Sequence, residues 1–391
     1  MVTGVAVVLS LMTWFSATAV LPEIKEQFSL TNTQSAWLTN AVQLGFAFGA
    51  LVSSFIALSD IFPLTRLMAY SAVSAGIANL LLLLDTGATT LILARVVTGI
   101  ALAGIYPPAM KFIASWFKTG RGLAMGAMVG ALTLGSAMPH LVRAIGFSVD
   151  WTVVVVVCSI GSFFAALIFG FLLKEGPHGF PKTKFDIRHM GKIFQNRPAM
   201  LANIGYFGHM WELYAMWAWI MLYISYAFSS ELNLFNASAA AFVAIAMGAP
   251  GCLFGGWLAD RIGRCNTSML MLGISGFSAL LVGFVFGGPT WLFLVVVMIW
   301  GFSVVADSAQ FSAAVTELSD SRYVGAALAF QMGVGFSITI FVIWIIPIVA
   351  NLLGSWRWAF LVLVPGPFVG MFAMYVLRKA PESVAMADGN R

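Results

Sequence analysis

The stretch GGWLADRIGR, residues 255–264, joins two apolar runs of the sequence. The runs cover residues 236–258 and 267–287, and each has about the 20 residues that a helix needs to cross the hydrocarbon core of a bilayer. Between them, glycine allows two helices to approach closely, and the side chains of Asp260 and Arg261 can form a charge-assisted pair. The stretch therefore predicts a tight turn between two transmembrane helices, held in one arrangement by a latch. The predicted latch residues of this turn are Gly256, Asp260, Arg261, Gly263 and Arg264.

The whole chain has the composition of a membrane protein. Of its 391 residues, 60% are hydrophobic and only 9% are Asp, Glu, Lys or Arg. A soluble protein carries about 25% charged residues because its surface must be hydrated. This chain has too few charges to cover such a surface, so it belongs in lipid. Its three cysteines are far apart and form no metal-ligand spacing, and we expect neither a metal nor a cofactor.

Twelve apolar runs alternate with polar or Pro/Gly-containing segments. They predict an all-α membrane protein with twelve transmembrane helices. The runs at 88–116 and 290–315 are long for a single helix. The predicted spans are residues 3–21, 36–58, 66–84, 88–116, 122–144, 151–173, 199–228, 236–258, 267–287, 290–315, 323–350 and 356–378.

Helix junctions recur at an offset of about 200 residues, which indicates an internal repeat. Asp60 follows the second span, for example, as Asp260 follows the eighth. The repeat predicts two pseudo-symmetric six-helix bundles, with a substrate site near the membrane midplane between them. The predicted divisions are residues 1–173, the N-terminal bundle; residues 174–198, a cytoplasmic loop; and residues 199–391, the C-terminal bundle with a short cytoplasmic tail.

The basic residues predict the orientation of the chain. Most of the 20 Lys and Arg residues fall on one side of the membrane if both termini share that side, whereas the opposite loops hold Lys25 and Arg357. Cytoplasmic loops are enriched in Lys and Arg, so we expect both termini in the cytoplasm. The net charge of +5 reflects this asymmetry and does not indicate nucleic-acid binding. The basic loop 174–198 is expected to contact anionic lipid headgroups.

Two motifs resemble those of the major facilitator superfamily of secondary transporters. GGWLADRIGR is similar to the loop signature of that family. LILARVVTGIALA, residues 91–103, has Arg95 four residues before Gly99 and is similar to the family's fourth-helix signature. The resemblance extends over the whole chain through the spans, the two halves and the basic central loop. It implies alternating access, in which the two halves expose one central site to each side of the membrane in turn.

Three segments refine this resemblance. The first-half loop IALSDIFPLTR, residues 56–66, keeps Asp60, but Ile56 replaces the glycine and Pro63 interrupts the basic cluster. We expect the latch in this half to be weaker or built differently. GAMVGALTLGSAMPH in the fifth span lacks the Gly-Pro pattern of the family's drug/proton antiporters. WFKTGRGLAMG, residues 116–126, is similar to the junction of helices four and five in branches that carry small anions such as nitrate and oxalate.

The stretch GHMWELYAMWAWI, residues 208–220, places an acid inside an apolar span. Glu212 lies near the middle of the span, where a charged carboxylate on an exposed helix costs about 2.5–3.5 kcal/mol. We therefore expect it to face the protein interior, where desolvation favours the neutral carboxyl group. His209 lies on the same helical face, and Asp307 lies inside the tenth span. These three are the candidate proton-coupling residues, and a structural hydrogen bond between helices is the alternative for each acid.

The resemblance implies that helices one, four, seven and ten line the central cavity. Arg95 on the fourth helix either compensates an acid, binds an anionic substrate or relays charge between them, and a purely structural role is equally open. Lys111 is expected to extend to the lipid interface more readily than to bind substrate. His140 and Arg143 lie toward the outer end of the fifth helix. The remaining candidate substrate-binding residues are Trp14, Gln43, Tyr106, Met216, Gln310 and Gln331.

The sequence predicts a proton-coupled secondary transporter of a small solute. It has no phosphate-binding loop, so ATP is not expected to drive transport directly. An organic or inorganic anion is slightly favoured by Arg95 and Lys111, and proton-driven efflux of an amphipathic or cationic compound is the alternative. A non-transporting receptor would share these features, whereas an intramembrane enzyme would need a metal cluster or a nucleophile–base pair. The expected partners are a small-molecule substrate, protons and lipid, without nucleic acid, and the expected state is a monomer in a bacterial-type inner membrane.

Overall fold

The computed structural model describes most of the chain, and all regular secondary structure in the described residues is helical. Most of the predicted central loop, residues 174–198, lies outside the described residues. The described residues are 1–56, 58–84, 87–117, 121–145, 150–174, 176–177, 195–228, 234–319 and 324–389.

The described residues form eighteen α-helices, of which ten lie in the first half of the chain. Their bounds are α1 Val2–Leu11, α2 Ser16–Ala19, α3 Leu21–Gln27, α4 Asn32–Phe55, α5 Leu58–Ile61, α6 Leu64–Leu80, α7 Ala88–Ala103, α8 Tyr106–Ala114, α9 Arg121–Ile145 and α10 Thr152–Leu167.

Eight further α-helices lie in the second half. Their bounds are α11 Arg197–Ala227, α12 Leu234–Ala246, α13 Gly248–Ile262, α14 Arg264–Leu281, α15 Thr290–Ser303, α16 Ser308–Leu318, α17 Val324–Leu352 and α18 Pro365–Lys379. Single turns of 3₁₀ or π-helix are found at Leu81–Leu83, Ile168–Leu172, Ala359–Leu363, Pro381–Ala385 and Ala387–Gly389.

In the described part of the chain, nine helical segments are long and apolar enough to cross a membrane, and α1 is a shorter apolar helix. This confirms the prediction of an all-α membrane protein. Neither α11 nor α14 belongs to the nine. α11 is buried on most of its circumference, so its polar side chains face protein instead of lipid. The nine segments are Asn32–Ser53, Leu64–Leu83, Ala88–Ile113, Leu123–Ile145, Thr152–Leu172, Asn236–Ile262, Thr290–Leu318, Phe330–Leu352 and Ala359–Lys379.

Several of the predicted spans contain interrupted helices. The span 88–116 is divided between α7 and α8, where Pro107 and Pro108 occupy the first turn of α8. Proline is tolerated there because the first N–H groups of a helix have no helical partner. The span 290–315 is divided between α15 and α16, and the span 3–21 is divided after α1. Each interruption frees backbone groups inside the membrane region, and these groups need other partners.

Glycine allows α4 and α7 to pack backbone to backbone. A side chain at Gly99 would overlap the carbonyl group of Val42, and one at Gly45 would overlap that of Val96. Gly99, which belongs to the motif with Arg95, is therefore required by packing. The contact fixes α7, and with it Arg95, against the first helices of the chain.

Helices from the two halves of the chain also contact each other. In the first half, α4 packs against α17, and α9 packs against α12 and α13. Within the second half, α11 packs against α16, α17 and α18. The buried helix α11 thus lies next to helices that meet the first half.

Candidate functional site

Glu212 lies in the middle of α11 and is 1% exposed. Its Oε1 accepts a hydrogen bond of 2.6 Å from Trp300 Nε1 on α15. Its Oε2 accepts a hydrogen bond of 2.8 Å from Ser275 Oγ on α14. A buried carboxyl group is tolerated when such bonds satisfy it. Glu212 therefore links three helices, as expected for an acid that faces the protein interior.

The hydrogen bonds of Glu212 suit both of its protonation states. Ser275 Oγ also lies 3.2 Å from the Leu272 carbonyl oxygen, and a hydroxyl group can donate one hydrogen bond while accepting others. When Glu212 is ionised, Ser275 donates to Oε2. When Glu212 is protonated, its O–H can donate to Ser275 Oγ, which then donates to Leu272. Trp300 donates to Oε1 in both cases, so the carboxyl group can exchange a proton without losing its partners.

His209 contacts the second buried acid, Asp307. Its Nδ1 lies 2.9 Å from Asp307 Oδ1, and both side chains are almost completely buried. Asp307 is the residue immediately before α16, at the interruption of the tenth span. Among the described residues, His209 Nε2 and both carboxylate oxygens of Asp307 have no partner in hydrogen-bond geometry, so the two side chains meet as a close polar contact. The sequence suggested that His209 assists Glu212, but the structure pairs it with Asp307, and this pair can share one proton.

Arg95 is fully buried and holds the interruption of the first span. Its Nη1 donates to the Thr13 carbonyl oxygen at 2.8 Å, and its Nη2 donates to the Trp14 carbonyl oxygen. Nη1 also lies 3.3 Å from both Ser16 Oγ and Asn79 Oδ1. These carbonyl groups need partners because α1 ends at Leu11. All these partners are uncharged, and no acid pairs with Arg95 in the described part of the chain.

A cluster of six buried aromatic rings joins the two halves of the chain, and we call it the interface cluster. Trp14 stacks on Tyr214 with ring centroids 5.5 Å apart. Phe46 and Phe336 are 4.5 Å apart, and other pairs meet edge to face. The rings therefore bring α4 and the first-span interruption into direct contact with α11 and α17. The interface cluster consists of Trp14, Phe15, Phe46, Tyr214, Trp217 and Phe336.

Several polar groups in and beside the interface cluster lack partners among the described residues. They are Trp14 Nε1, Trp217 Nε1 and both amide atoms of Gln43, which precedes Phe46 by one helical turn. Such groups are rare in protein interiors because leaving them unpaired costs free energy. Trp14 and Gln43, two predicted substrate-binding residues, are thus brought to one place.

A comparison with known protein families identifies the family of this chain. The model of the Major Facilitator Superfamily matches residues 3–342 and 253–390. The chain belongs to the major facilitator superfamily. As a member, it is a multi-pass membrane transporter and not an enzyme, as the sequence predicted.

Two curated relatives show the range of this superfamily. The MFS-type transporter hasB of Aspergillus fumigatus is 28% identical over 266 residues, which cover 63% of this chain and 57% of that protein. The probable sulfoacetate transporter SauU of Cupriavidus necator is 23% identical over 284 residues, covering 65% of this chain and 64% of that one. Each match thus spans less than two thirds of the relative's length.

A solved superfamily structure shares the fold over nearly the whole chain. The proton:xylose symporter XylE, bound to 6-bromo-6-deoxy-D-glucose, superposes with a TM-score of 0.72 and covers 96% of this chain and 94% of its own. The sequence identity is 13%, so the similarity concerns the fold alone.

Three other predicted substrate-binding residues of this superfamily member occupy separate positions. Tyr106 is buried at the start of α8, and Met216 is buried in α11 one turn after Glu212. Gln331 Oε1 accepts a hydrogen bond of 3.0 Å from Ser312 Oγ, while its Nε2 has no partner among the described residues.

The predicted latch turn forms an ion pair with a residue outside the turn. Arg264 donates through Nε and Nη2 to both carboxylate oxygens of Glu317, at 2.8 and 2.6 Å. Its Nη1 donates to Gln310 Oε1 at 2.8 Å. Gln310, predicted to bind substrate, is thus engaged by the latch. The planar guanidinium group explains this arrangement, because it can bind a carboxylate with two parallel hydrogen bonds and still donate a third.

The expected pairing within the turn is not formed. Asp260 is exposed and makes no ion pair with any described residue. Arg261 lies over the Trp257 ring, 4.2 Å from its centroid. Gly263 has a φ of 88° and opens α14, a conformation that favours glycine. The turn is therefore held by Arg264 and by its glycine.

The other latch and flanking residues are placed as follows. Gly256 is buried in α13. Asp60 lies in the short helix α5, but its side chain lies outside the described part of the structure. Lys111 Nζ donates to the Ser59 carbonyl oxygen at 3.2 Å, so it contacts this first-half turn.

Two residues near the C-terminal end of α9 have different surroundings. Arg143 forms an ion pair with Glu23 on α3. His140 is fully buried, and neither ring nitrogen has a hydrogen-bond partner among the described residues. The first therefore has a structural role, whereas the second is left with unused hydrogen-bonding capacity.

Several residues of these sites were missed in the sequence, including four that their contacts identify. Trp300, Ser275 and Glu317 are partners of predicted residues, and Trp217 lies in the interface cluster. Trp300 precedes Asp307 by two helical turns in the sequence, and this spacing could have indicated that Trp300 lies near the buried acids. Ser275 carried none, because serine is common in membrane helices and its partner lies on another span.

Proposed function

We propose that this transporter couples the movement of a small solute to protons by alternating access. The observation that supports this most strongly is the carboxyl group of Glu212, which keeps its hydrogen bonds to Trp300 and Ser275 whether ionised or protonated. A group that changes charge can bias which conformation is preferred and so link proton flow to solute flow. The His209–Asp307 pair supplies a second exchangeable proton nearby.

The proposed architecture has twelve transmembrane helices in two six-helix bundles, residues 1–173 and 199–391, joined by the loop 174–198. Helical segments within every predicted span support it, as do the contacts of α4 and α9 with the second half. The protein is proposed to be a monomer in a bacterial-type inner membrane, with both termini in the cytoplasm. A C-terminal reporter that is active only in the periplasm should remain silent, and a strong signal would overturn this topology.

The proposed solute is a small organic or inorganic anion. The charge of Arg95 is not compensated by an acid among the described residues, and it lies directly behind Trp14. One relative is a probable sulfoacetate transporter, which agrees with this solute class.

Efflux of an amphipathic cation is the second candidate. The interface cluster supports it, because aromatic faces attract cations in a desolvated site. The two candidates differ in the charge of the solute and in the direction of coupled movement.

Transport measured in proteoliposomes tests the proposal. Purified protein is reconstituted into vesicles that contain a pH-sensitive dye, and sulfoacetate or tetraphenylphosphonium is added outside. Solute-dependent proton movement that is absent from protein-free vesicles is the expected result for proton coupling. Solute movement with no proton movement, and with no dependence on an imposed pH gradient, would refute it. A response to tetraphenylphosphonium alone would favour efflux.

A further inference from the structure

We infer that the interface cluster binds the acidic group of an organic anion through the indole N–H groups of Trp14 and Trp217. Arg95 stabilises this anion through its charge, from behind the backbone and without contacting it. The inference deepens the proposed function, on which it rests, by naming the solute class and the groups that recognise it.

The first argument concerns hydrogen-bond donors. An indole N–H can donate but cannot accept, and a buried one nearly always has a partner. Four other tryptophans of this chain follow the rule, whereas Trp14 and Trp217 have no acceptor among the described residues. The four partnered indoles and their acceptors are Trp151 with Gln27, Trp211 with Val362, Trp219 with Ile343 and Trp300 with Glu212.

The second argument concerns position. Tyr214 stacks on Trp14 at 5.5 Å and meets Trp217 edge to face at 5.4 Å, so the two indoles flank one ring. They come from different halves of the chain, between which this transporter would hold its solute. Gln43, one turn from Phe46, adds an amide group that also has no partner among the described residues.

The third argument concerns charge. Arg95 donates to the carbonyl group of Trp14, so a permanent positive charge lies one peptide group away from the first indole. Its Nη1 and Nη2 groups are engaged by Thr13, Trp14, Ser16 and Asn79, while its Nε has no partner among the described residues. The two terminal nitrogens are therefore directed at protein, and the charge remains available to a solute. Coulombic attraction is strong in a low-dielectric interior and needs no direct contact.

These features define the chemistry of the solute. A carboxylate or sulfonate group accepts hydrogen bonds only, which matches donors that can only donate. The surrounding rings suit a small organic body attached to that group. A cation would meet the charge of Arg95 and would leave both indole N–H groups unpaired. The structure therefore favours an organic anion over an amphipathic cation.

Two variants test this inference while keeping an aromatic side chain at each position. Trp14→Phe and Trp217→Phe each remove one N–H donor, and Trp291→Phe, at a position that is 68% exposed, is the matched control. Binding of sulfoacetate and of tetraphenylphosphonium to purified protein is measured by calorimetry. Each cluster variant should weaken sulfoacetate binding by about tenfold or more, as expected for a hydrogen bond to a charged group. The control should bind as the wild type does.

The outcomes separate this inference from the proposed function. Unchanged sulfoacetate affinity in both cluster variants would overturn the inference, as would wild-type protein that binds tetraphenylphosphonium but no member of a panel of carboxylates and sulfonates. Proton coupling is measured independently with the dye-loaded vesicles and Glu212→Gln. If proton coupling is intact and the tryptophan variants bind sulfoacetate as the wild type does, the proposed function is retained and the inference about the indole N–H groups is rejected. Near-ultraviolet circular dichroism establishes that each variant keeps its aromatic packing.

Discussion

The two halves of the chain each bury a polar network that joins their first and fourth spans, but the networks differ in what they contain. In the first half, Arg95 on the fourth span donates to the carbonyl groups of Thr13 and Trp14 on the first. In the second half, Trp300 on the fourth span donates to the carboxyl group of Glu212 on the first. The direction of donation is the same, while the acceptor is backbone in one half and an acid in the other.

The first-half network is fixed, whereas the groups of the second-half network can exchange protons. Arginine stays charged, and carbonyl groups do not titrate, so the first-half network keeps one state at all working pH values. The second-half network contains Glu212, His209 and Asp307, which can gain or lose protons. Under the proposed function, the first half provides structure and a constant positive charge, whereas the second half is assigned the response to the proton gradient. Variants in the first-half network should therefore change stability, whereas variants in the second-half network should change proton coupling.

The largest effect is expected for Glu212→Gln. Glutamine keeps the size of the side chain and can accept from Trp300, but it has no proton to exchange. Gradient-driven accumulation in proteoliposomes should fall to background, a loss of about 100-fold or more, while sulfoacetate binding and exchange persist. Glu26→Gln, on the exposed part of α3, is the control and should transport normally. Wild-type accumulation and pH dependence in Glu212→Gln would make Glu212 structural and move the coupling role to Asp307.

Arg95→Ala should reduce stability more than it alters coupling. It leaves the Trp14 carbonyl group buried without a donor and leaves Ser16 Oγ as the donor to the Thr13 carbonyl group, at a cost of about 1–3 kcal/mol. Thermal unfolding in detergent should therefore occur at a clearly lower temperature. Arg95→Lys keeps the charge but loses the planar fork, so it should recover part of the stability and keep most of the anion affinity. If the first-half network only stabilises the fold, the pH profile of transport should be unchanged in both variants. A shifted pH profile would mean that the first half also takes part in proton coupling.

Part of this comparison was accessible from the sequence. Composition and run length predicted the membrane helices, because a bilayer imposes both. The depth of Glu212, Asp307 and Arg95 was equally accessible, since it follows from their position within apolar runs. Their partners were not, because helix rotation decides which side chains of distant spans meet. The segment LSLMTWFSATA, residues 9–19, contains neither proline nor glycine. Its sequence therefore did not predict the helix interruption that gives Arg95 its backbone acceptors.

Asp307→Asn should have an intermediate effect. Asparagine keeps the size of the side chain and its contact with His209 Nδ1, but the pair loses its carboxyl group and its exchangeable proton. We expect accumulation to fall about tenfold, less than for Glu212→Gln, since Glu212 can still exchange its own proton. The exposed Asp260→Asn is the matched control. Wild-type accumulation in Asp307→Asn would restrict the exchangeable network to Glu212.

Trp300→Phe should shift the pH profile of transport without abolishing it. The variant removes a hydrogen bond that stabilises the ionised carboxylate of Glu212 more than the neutral form. The protonated form therefore persists to higher pH, and the pH of half-maximal transport should rise by about one unit. Transport rates measured from pH 5 to 9 provide the profile, with Trp291→Phe as control. A shift to lower pH would contradict the role of Trp300 as a donor to Glu212.

The smallest shift is expected for Ser275→Ala, because Ser275 serves both protonation states of Glu212. Its hydroxyl group donates to the ionised carboxylate, and it can accept from the protonated one while donating to the Leu272 carbonyl oxygen. Removing it destabilises both forms, so the pH of half-maximal transport should move by less than about half a unit, while the maximal rate falls. Ser275→Thr restores the hydroxyl group and should restore the rate. The control is Ser278→Ala, whose hydroxyl group donates to the Ile274 carbonyl oxygen on the same helix. A shift as large as that of Trp300→Phe would mean that Ser275 stabilises the carboxylate alone, and the exchangeable network would then lack its hydroxyl relay.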